Sequence, residues 1–211
     1  MSTARTAVLF DFGGVLTSSV MTAFAEFGTE IGARRLPLRL LATDPESSAL
    51  LVGHEEGRIG QREFEEGFAR RLNEHGVHVE PHRLVDRILS RLRLDEEMIR
   101  LVADVRAAGH RVGLLSNSLG DDSYSGVDLL GMFDAVTISA EVGVRKPSHR
   151  AYLIACERLG ALPEATIMID DLELNITAAE RAGLTGIVHH DAVSTAEQLW
   201  AALSQTGTAS R

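Results

Sequence analysis

The chain has a single cysteine, Cys156, which excludes an internal disulfide bond and a metal site built from several cysteines. No apolar run approaches the roughly 20 residues that a membrane-spanning helix requires. No basic segment precedes an apolar one near the N-terminus, so we expect a cytoplasmic protein. Basic residues are also the minority, with 21 Lys and Arg against 30 Asp and Glu. Since duplex-binding domains usually present a basic face, nucleic acid is not an expected partner.

The remaining composition is that of an ordinary globular protein, with 45% apolar and 24% charged residues in a chain of 211. Near its start the chain reads Ala7-Val8-Leu9-Phe10-Asp11-Phe12-Gly13-Gly14. A continuous apolar run that ends in an acid and two glycines predicts a strand buried on both faces of a parallel sheet. The acid then lies at the carboxyl end of the strand, where open α/β sheets bind ligands.

Convincing strand patterns are absent between residues 18 and 93, where helical spacing dominates. Phe64, Phe68 and Leu72 recur every four residues within a helix predicted over 61–73. Further helices are predicted over 20–34, 46–56 and 81–93. We therefore predict an α-helical cap domain at 18–93, inserted into a core domain made of 1–17 and 94–211.

Strands and helices alternate after residue 94, which predicts an α/β, doubly wound parallel sheet with right-handed crossovers. Strands are expected over 111–115, 135–138, 165–169 and 186–188. Asp95 is the predicted N-cap of the helix that follows it. Ser194-Thr195-Ala196-Glu197 has the pattern of a capping box for the last helix.

Polar side chains follow several of these strands. They are Asp11, Ser116, Asn117, Lys146, Asp170 and Asp171. Because the carboxyl ends of parallel strands meet at one edge, residues far apart in sequence can share a site there. Three crowded carboxylates repel one another unless a cation lies between them, and oxygen ligands favour Mg²⁺. A solvated lysine and helix capping by the tandem acids are the alternative interpretations.

Four stretches at these strand ends together resemble the motifs of the haloacid dehalogenase-like hydrolase superfamily. They are Leu9-Phe10-Asp11-Phe12-Gly13-Gly14-Val15-Leu16, Leu114-Leu115-Ser116-Asn117, Val142-Gly143-Val144-Arg145-Lys146-Pro147 and Ile167-Met168-Ile169-Asp170-Asp171-Leu172-Glu173-Leu174-Asn175. The resemblance covers nearly the whole chain and extends to the subgroup with a helical cap after the first strand. It implies an Mg²⁺-dependent hydrolase that acts on a small phosphorylated metabolite.

The resemblance also implies a role for each residue. Asp11 would be the nucleophile that forms an aspartyl-phosphate intermediate, and Ser116 and Lys146 would hold the phosphoryl group. Mg²⁺ would bind Asp11, the main-chain carbonyl of Gly13 and Asp171, with Asp170 as a ligand or a supporting partner. Substrate contacts are expected from Asn117, Gly13 and Gly14, and Asn175 would support the metal end of the site.

Gly13 departs from the family pattern, because most phosphatases of the family carry an acid–base Asp at this position. Such a group contributes about 10²–10⁴-fold in rate. Three hypotheses follow: a substrate whose leaving group needs little protonation, a substitute group from the cap, or a phosphate-binding regulatory protein without useful turnover. A 2-haloacid dehalogenase is a further alternative, which the tandem acids disfavour. The sequence leaves the substrate and the oligomeric state open.

Overall fold

A computed structural model describes residues 6–121 and 123–206, which fold around a five-stranded parallel sheet. The strands are β1 (Ala7–Phe10), β2 (Arg111–Ser116), β3 (Ala135–Ile138), β4 (Thr166–Asp170) and β5 (Thr185–Val188). Their order is β3-β2-β1-β4-β5, so β1 is central and the chain winds outward on both sides of it. The predicted α/β, doubly wound parallel sheet is confirmed.

Strand β1 is buried on both faces, which explains its lack of alternating polar residues. Val8 and Phe10 pack into the hydrophobic cluster on one face of the sheet. Ala7 and Leu9 pack into the cluster on the other face. Each large apolar side chain buried in this way contributes about 1.5–3 kcal/mol, so β1 anchors the residues that follow it.

Five helices separate β1 from the rest of the sheet and enclose a hydrophobic cluster of their own. They are α1 (Val20–Glu30), α2 (Leu36–Thr43), α3 (Pro45–Glu55), α4 (Gln61–Glu74) and α5 (Leu84–Leu89). Phe64, Phe68 and Leu72 of α4 are completely buried in this cluster, as their spacing predicts. We call residues 18–93 the helical insert.

Six further α-helices follow the insert in the part of the chain that the structure describes. They are α6 (Glu96–Ala107), α7 (Leu129–Met132), α8 (Ser139–Val142), α9 (His149–Leu159), α10 (Glu173–Arg181) and α11 (Ala192–Thr206). Helices α6 and α11 pack together on one face of the sheet, and α9 and α10 pack together on the other. Within the described ranges, none of the helices is long and apolar enough to cross a membrane.

Several predicted helix and strand limits differ from the structure. Helix α2 was not predicted from the sequence. It begins at Leu36 and has a proline in its first turn. The helix expected over 81–93 is reduced to α5, and Arg93 instead accepts a backbone hydrogen bond from Ser18. Strand β4 runs one residue further than expected, to Asp170.

The predicted capping box of the last helix is wrong. Helix α11 begins at Ala192, so Ser194 lies in its first turn rather than at its cap. The Asp191 carboxylate accepts hydrogen bonds from the Ser194 main-chain N–H and hydroxyl, each at 2.8 Å. Asp191, three residues before the predicted cap, therefore satisfies free donors in the first turn of this helix.

The two connections between the insert and the sheet lie side by side. Thr17 and Leu94 form an antiparallel bridge. The Ser18 main-chain N–H donates to the Arg93 carbonyl oxygen at 2.8 Å, and the Asp95 N–H donates to the Leu16 carbonyl oxygen at 2.9 Å. The domain division at 17/18 and 93/94 stays a prediction, and this paired segment is where it would fall.

Gly57, just after α3, brings the insert against the core. Its φ is +69°, and a Cβ there would lie 2.5 Å from the Ala140 carbonyl oxygen. Gly76, just after α4, has a similar φ of +86° but has open space around its Cβ position. The two glycines share a left-handed conformation and differ in whether they contact the core.

We predict that Gly57→Ala lowers the free energy of unfolding by clearly more than Gly76→Ala. The left-handed conformation alone costs a non-glycine residue about 1–2 kcal/mol, and only at position 57 does a backbone clash add to it. Denaturant unfolding of the two variants beside the wild type measures the difference. Equal losses would show that the insert does not depend on this close approach.

Candidate active site

The predicted site residues gather at the carboxyl ends of the three central strands. Asp11 follows β1, Ser116 is the last residue of β2, and Asp170 is the last residue of β4. The Asp11 main-chain N–H donates to the Ile169 carbonyl oxygen at 2.9 Å, which extends the pairing of β1 and β4 by one residue. The parallel register therefore sets the first and fourth motifs beside each other.

A tight turn follows Asp11. The Phe12 carbonyl oxygen accepts hydrogen bonds from the N–H groups of Val15, Leu16 and Thr17. Gly14 lies in this turn with φ +87°, and a Cβ there would fall 2.3 Å from Oδ2 of Asp171. Glycine at position 14 is therefore required both by the backbone conformation and by the approach of the Asp171 carboxylate.

Lys146 is the buried cation of the site. Its Nζ lies 2.7 Å from Oδ1 of Asp11 and 2.6 Å from Oδ2 of Asp170, and the residue is only 1% exposed. Burial lowers the pKa of Lys146, but the charges of Asp11 and Asp170 outweigh that effect and raise it above its ordinary value. The side chain is therefore a permanent positive charge between two acids.

The Asp170 carboxylate is fully hydrogen-bonded to other groups of the protein. Oδ1 accepts from the Leu172 N–H and from Nδ2 of Asn175, and Oδ2 accepts from Lys146 and from the same Asn175 amide. A carboxylate offers about four lone-pair positions, so these four contacts occupy it. The geometry therefore favours Asp170 as the partner of Lys146 over Asp170 as a direct metal ligand.

Asn117 clamps the main chain of Lys146. Its Nδ2 donates to the Lys146 carbonyl oxygen at 3.0 Å, and its Oδ1 accepts from the Lys146 N–H at 2.8 Å. Both ends of the amide are thereby engaged, although the sequence suggested that Asn117 contacts the substrate. The side chain holds the lysine-bearing loop in place.

Asp11 and Asp171 keep carboxylate oxygens available. Asp11 accepts from Lys146 and from the Phe12 N–H on Oδ1 alone, which leaves Oδ2 without a hydrogen bond from the described residues. No described residue donates to the Gly13 carbonyl oxygen either. Oxygens of Asp11, Asp170 and Asp171 all lie within 4.8 Å of one another. Without the occupied Asp170, the free oxygens of Asp11 and Asp171 and the Gly13 carbonyl form a donor set that fits a hard divalent cation such as Mg²⁺.

Burial makes the Asp11 and Asp171 carboxylates harder to ionise than ordinary surface acids. Burial raises the pKa of Asp11 to about 7, against the opposing charge of Lys146. Burial and the neighbouring Asp170 charge raise the pKa of Asp171 to about 6. A divalent ion beside the two carboxylates would favour their charged forms and lower both pKa values.

Ser116 and Tyr124 form a hydroxyl pair at the end of β2. The Tyr124 hydroxyl donates to Oγ of Ser116 at 2.9 Å, and Ser116 is 2% exposed. The Tyr124 ring packs edge-on against Phe12, the neighbour of Asp11, with the ring centroids 4.9 Å apart. The sequence reasoning missed Tyr124, because an isolated aromatic residue in a glycine-rich and serine-rich loop carries no recognisable pattern.

The helical insert holds the loop that follows Ser116. Nε2 of His54 accepts from the Gly120 N–H at 3.0 Å, and Oε1 of Gln61 accepts from the Asp121 N–H at 2.7 Å. His54 is buried and stacks on Phe64. Insert side chains thus satisfy the main chain of a loop that belongs to the site.

One composition signal would have strengthened the interpretation of Lys146. It is the only lysine in the chain, and the other 20 of the 21 basic residues are arginines. Lysine occurs once in this chain, and that one lysine is buried. Such use is typical of a position whose chemistry arginine cannot supply.

The sheet order and the acidic strand ends define an α/β protein with a polar site at the carboxyl edge of the sheet, and sequence comparison specifies the family. A model of the haloacid dehalogenase-like hydrolases matches residues 6–183. The chain therefore belongs to that family.

Several curated relatives are named as phosphatases. A glyceraldehyde 3-phosphate phosphatase of Methanothermobacter thermautotrophicus is 31% identical over 99 residues, which cover 45% of the chain and 44% of the relative. A phosphorylated carbohydrates phosphatase of Thermotoga maritima is 25% identical over 194 residues, which cover 87% of the chain and 85% of the relative. The match to the first of these relatives thus spans less than half its length.

Solved structures share the fold along most of the chain. A predicted hydrolase of the haloacid dehalogenase-like (HAD-like) family from Porphyromonas gingivalis is 25% identical, with a TM-score of 0.66 over 94% of the chain and 98% of its own. An HAD family enzyme of Bacteroides thetaiotaomicron, in complex with magnesium and inorganic phosphate, is 22% identical with a TM-score of 0.66 over 89% of the chain and 95% of its own.

We predict that Lys146→Met lowers the free energy of unfolding by about 3–5 kcal/mol at neutral pH, because it leaves two buried carboxylates without their cation. Arg62→Met is the matched control, since Arg62 forms an exposed pair with Glu66 and such pairs contribute about 0.3–0.5 kcal/mol. Denaturant unfolding compares the two variants. Similar stabilities would contradict the central role of the buried lysine.

Proposed function

We propose that the protein is an Mg²⁺-dependent phosphomonoester hydrolase that acts on a small phosphorylated metabolite. One observation carries the proposal: the oxygens of Asp11, Asp170 and Asp171 converge within 4.8 Å around a buried lysine at the carboxyl edge of the sheet. Carboxylates, a fixed cation and a hydroxyl donor are the groups that phosphoryl transfer requires. The phosphatase names of the relatives support this substrate class.

Asp11 is the proposed nucleophile. One oxygen of its carboxylate forms a bond to phosphorus while the phosphorus–oxygen bond to the leaving group breaks, and the other oxygen would contact the cation. Water then attacks the aspartyl phosphate, which releases inorganic phosphate and restores the carboxylate. Lys146 holds Oδ1 of Asp11 and thereby fixes the direction of the attacking oxygen.

The proposed metal ligands are Asp11, Asp171 and the carbonyl oxygen of Gly13. When bound, Mg²⁺ supplies the positive charge that offsets the charge of the transferring phosphoryl group. Ser116 offers a hydroxyl to a phosphoryl oxygen from the end of the neighbouring strand. Asp170, Asn117 and Asn175 keep Lys146 and its loop in place.

We predict that a panel of phosphate esters reveals phosphate release that requires both Mg²⁺ and Asp11. Asp11→Asn should lower kcat by more than about a thousandfold, because the amide cannot form the covalent intermediate. Asp104→Asn, on the exposed surface of α6, is the control and should retain activity. Phosphate release that survives Asp11→Asn, or an absence of release from every ester tested, would overturn the proposal.

The second candidate is a phosphate-binding regulatory protein with little turnover, and Gly13 is the observation that favours it. A Cβ at position 13 would lie 2.7 Å from Cγ2 of Val20, so an apolar side chain of the insert occupies the space that a larger residue 13 would need. We infer that the enzyme acts on phosphorylated substrates whose leaving group departs without protonation, such as acyl, anomeric or aryl phosphates.

Restoring an acid tests this inference. We predict that Gly13→Asp combined with Val20→Ala raises kcat on an alkyl phosphate by about a hundredfold, because the double variant supplies the missing proton donor and the room for it. Gly13→Asp alone should be destabilised by the contact with Val20. Steady-state kinetics and thermal unfolding measure the two effects. A wild type that hydrolyses alkyl and aryl phosphates equally well would contradict the leaving-group inference.

A further inference from the structure

Tyr124 is a phenol in the site that the catalytic scheme leaves without a role. Its hydroxyl donates to Oγ of Ser116 at 2.9 Å from the loop that follows β2. Its ring is fixed by edge-on packing against Phe12, at 4.9 Å between centroids. The side chain is thus held from both ends, once by the neighbour of the nucleophile and once by the residue proposed to hold the phosphoryl group.

The hydrogen bond from Tyr124 determines where the Ser116 proton can go. A serine hydroxyl has one proton to donate and two lone pairs that accept. Tyr124 occupies one lone pair, and the Ser116 proton has only a long contact of 3.4 Å to the Asn117 carbonyl oxygen among the described residues. Hydroxyl pairs normally lie at about 2.7–2.8 Å, so this contact is weak and the proton is available to a stronger acceptor.

The phenol is suited to remain the donor of the pair. Burial raises the pKa of Tyr124 to about 12, and the nearby Asp11 charge adds to the effect although Ser116 opposes it. A phenol also donates a hydrogen bond more strongly than an aliphatic hydroxyl does, whereas the serine oxygen is the better acceptor. Tyr124 therefore remains the donor and Ser116 the acceptor of this hydrogen bond throughout the neutral pH range.

We propose that Tyr124 is a positioning residue for anion binding: it holds the Ser116 oxygen so that the serine proton points to a phosphoryl oxygen. The inference rests on the proposed function for the identity of the anion. It goes beyond that function because it assigns the orientation of the Ser116 hydroxyl to Tyr124, a loop residue outside all four motifs.

A double-mutant cycle on phosphate binding tests the proposal. Inorganic phosphate is titrated into the wild type, Tyr124→Phe, Ser116→Ala and the double variant, each with saturating Mg²⁺, and Kd is measured by calorimetry. Tyr124→Phe should weaken binding about three- to tenfold, the range expected for one hydrogen bond between neutral groups. In the Ser116→Ala background the same change should have no effect, because the hydroxyl through which Tyr124 acts is gone.

Each other outcome counts against the proposal. An equal loss from Tyr124→Phe in both backgrounds would mean that the phenol contacts the anion directly, and no loss in either would mean that it does not act on the site. Ser123→Ala is the control for loop order, since among the described residues its hydroxyl bonds to the Leu119 and Gly120 carbonyls of the same loop and not to Ser116. A loss as large as that of Tyr124→Phe would assign the effect to the loop.

The cycle separates this proposal from the enzymatic one. Phosphate binding that depends on Tyr124 through Ser116, in a protein that hydrolyses no ester, would support the positioning role and refute the phosphatase. Absence of phosphate binding by the wild type would refute the positioning role, whereas the phosphatase is judged by ester hydrolysis alone. Hydrolysis with additive effects of the two substitutions would leave the phosphatase intact and refute the positioning role.

Discussion

The arrangement of the site depends on one buried cation between two acids. Placing Lys146 in the interior would be costly without compensating charge, and placing Asp11 and Asp170 together would be costly without a cation between them. The three groups are therefore stable only as a set, and the set can form only where β1 and β4 are neighbours. Asn117 and Asn175 add neutral hydrogen bonds that fix the lysine-bearing loop and the Asp170 carboxylate. Because Asp170, Asn117 and Asn175 hold Lys146 and its loop, Asp11 and Asp171 keep oxygens that can bind ligands.

The insert and the sheet meet around the same site rather than at a distance from it. Val20 occupies the space beside Gly13, and His54 and Gln61 accept hydrogen bonds from the loop that carries Tyr124. Any movement of the insert would therefore alter both the surroundings of the nucleophile and the order of that loop. The chemistry of the strand ends and the packing of the helices are coupled through a small number of contacts.

Much of the fold could be predicted from the sequence because its signals are local. The apolar run of β1, the four-residue spacing in α4 and the order of the motifs all report directly on burial and periodicity. Helix α2 was missed because eight residues give too short a pattern, and the α11 cap was misplaced because Asp191 and Ser194 are both good capping residues.

Partnerships within the site were harder to foresee. Asn117 lies in the same sequence motif as Ser116. Only the folded chain shows that its amide forms hydrogen bonds with the Lys146 main chain. Tyr124 depends on a loop whose path is set by the insert, which no local pattern encodes. Lys146 has a further practical consequence as the only lysine, 1% exposed. Amine-directed acylation and crosslinking find no lysine target on the folded surface, and the one ε-amino group becomes a reporter of unfolding.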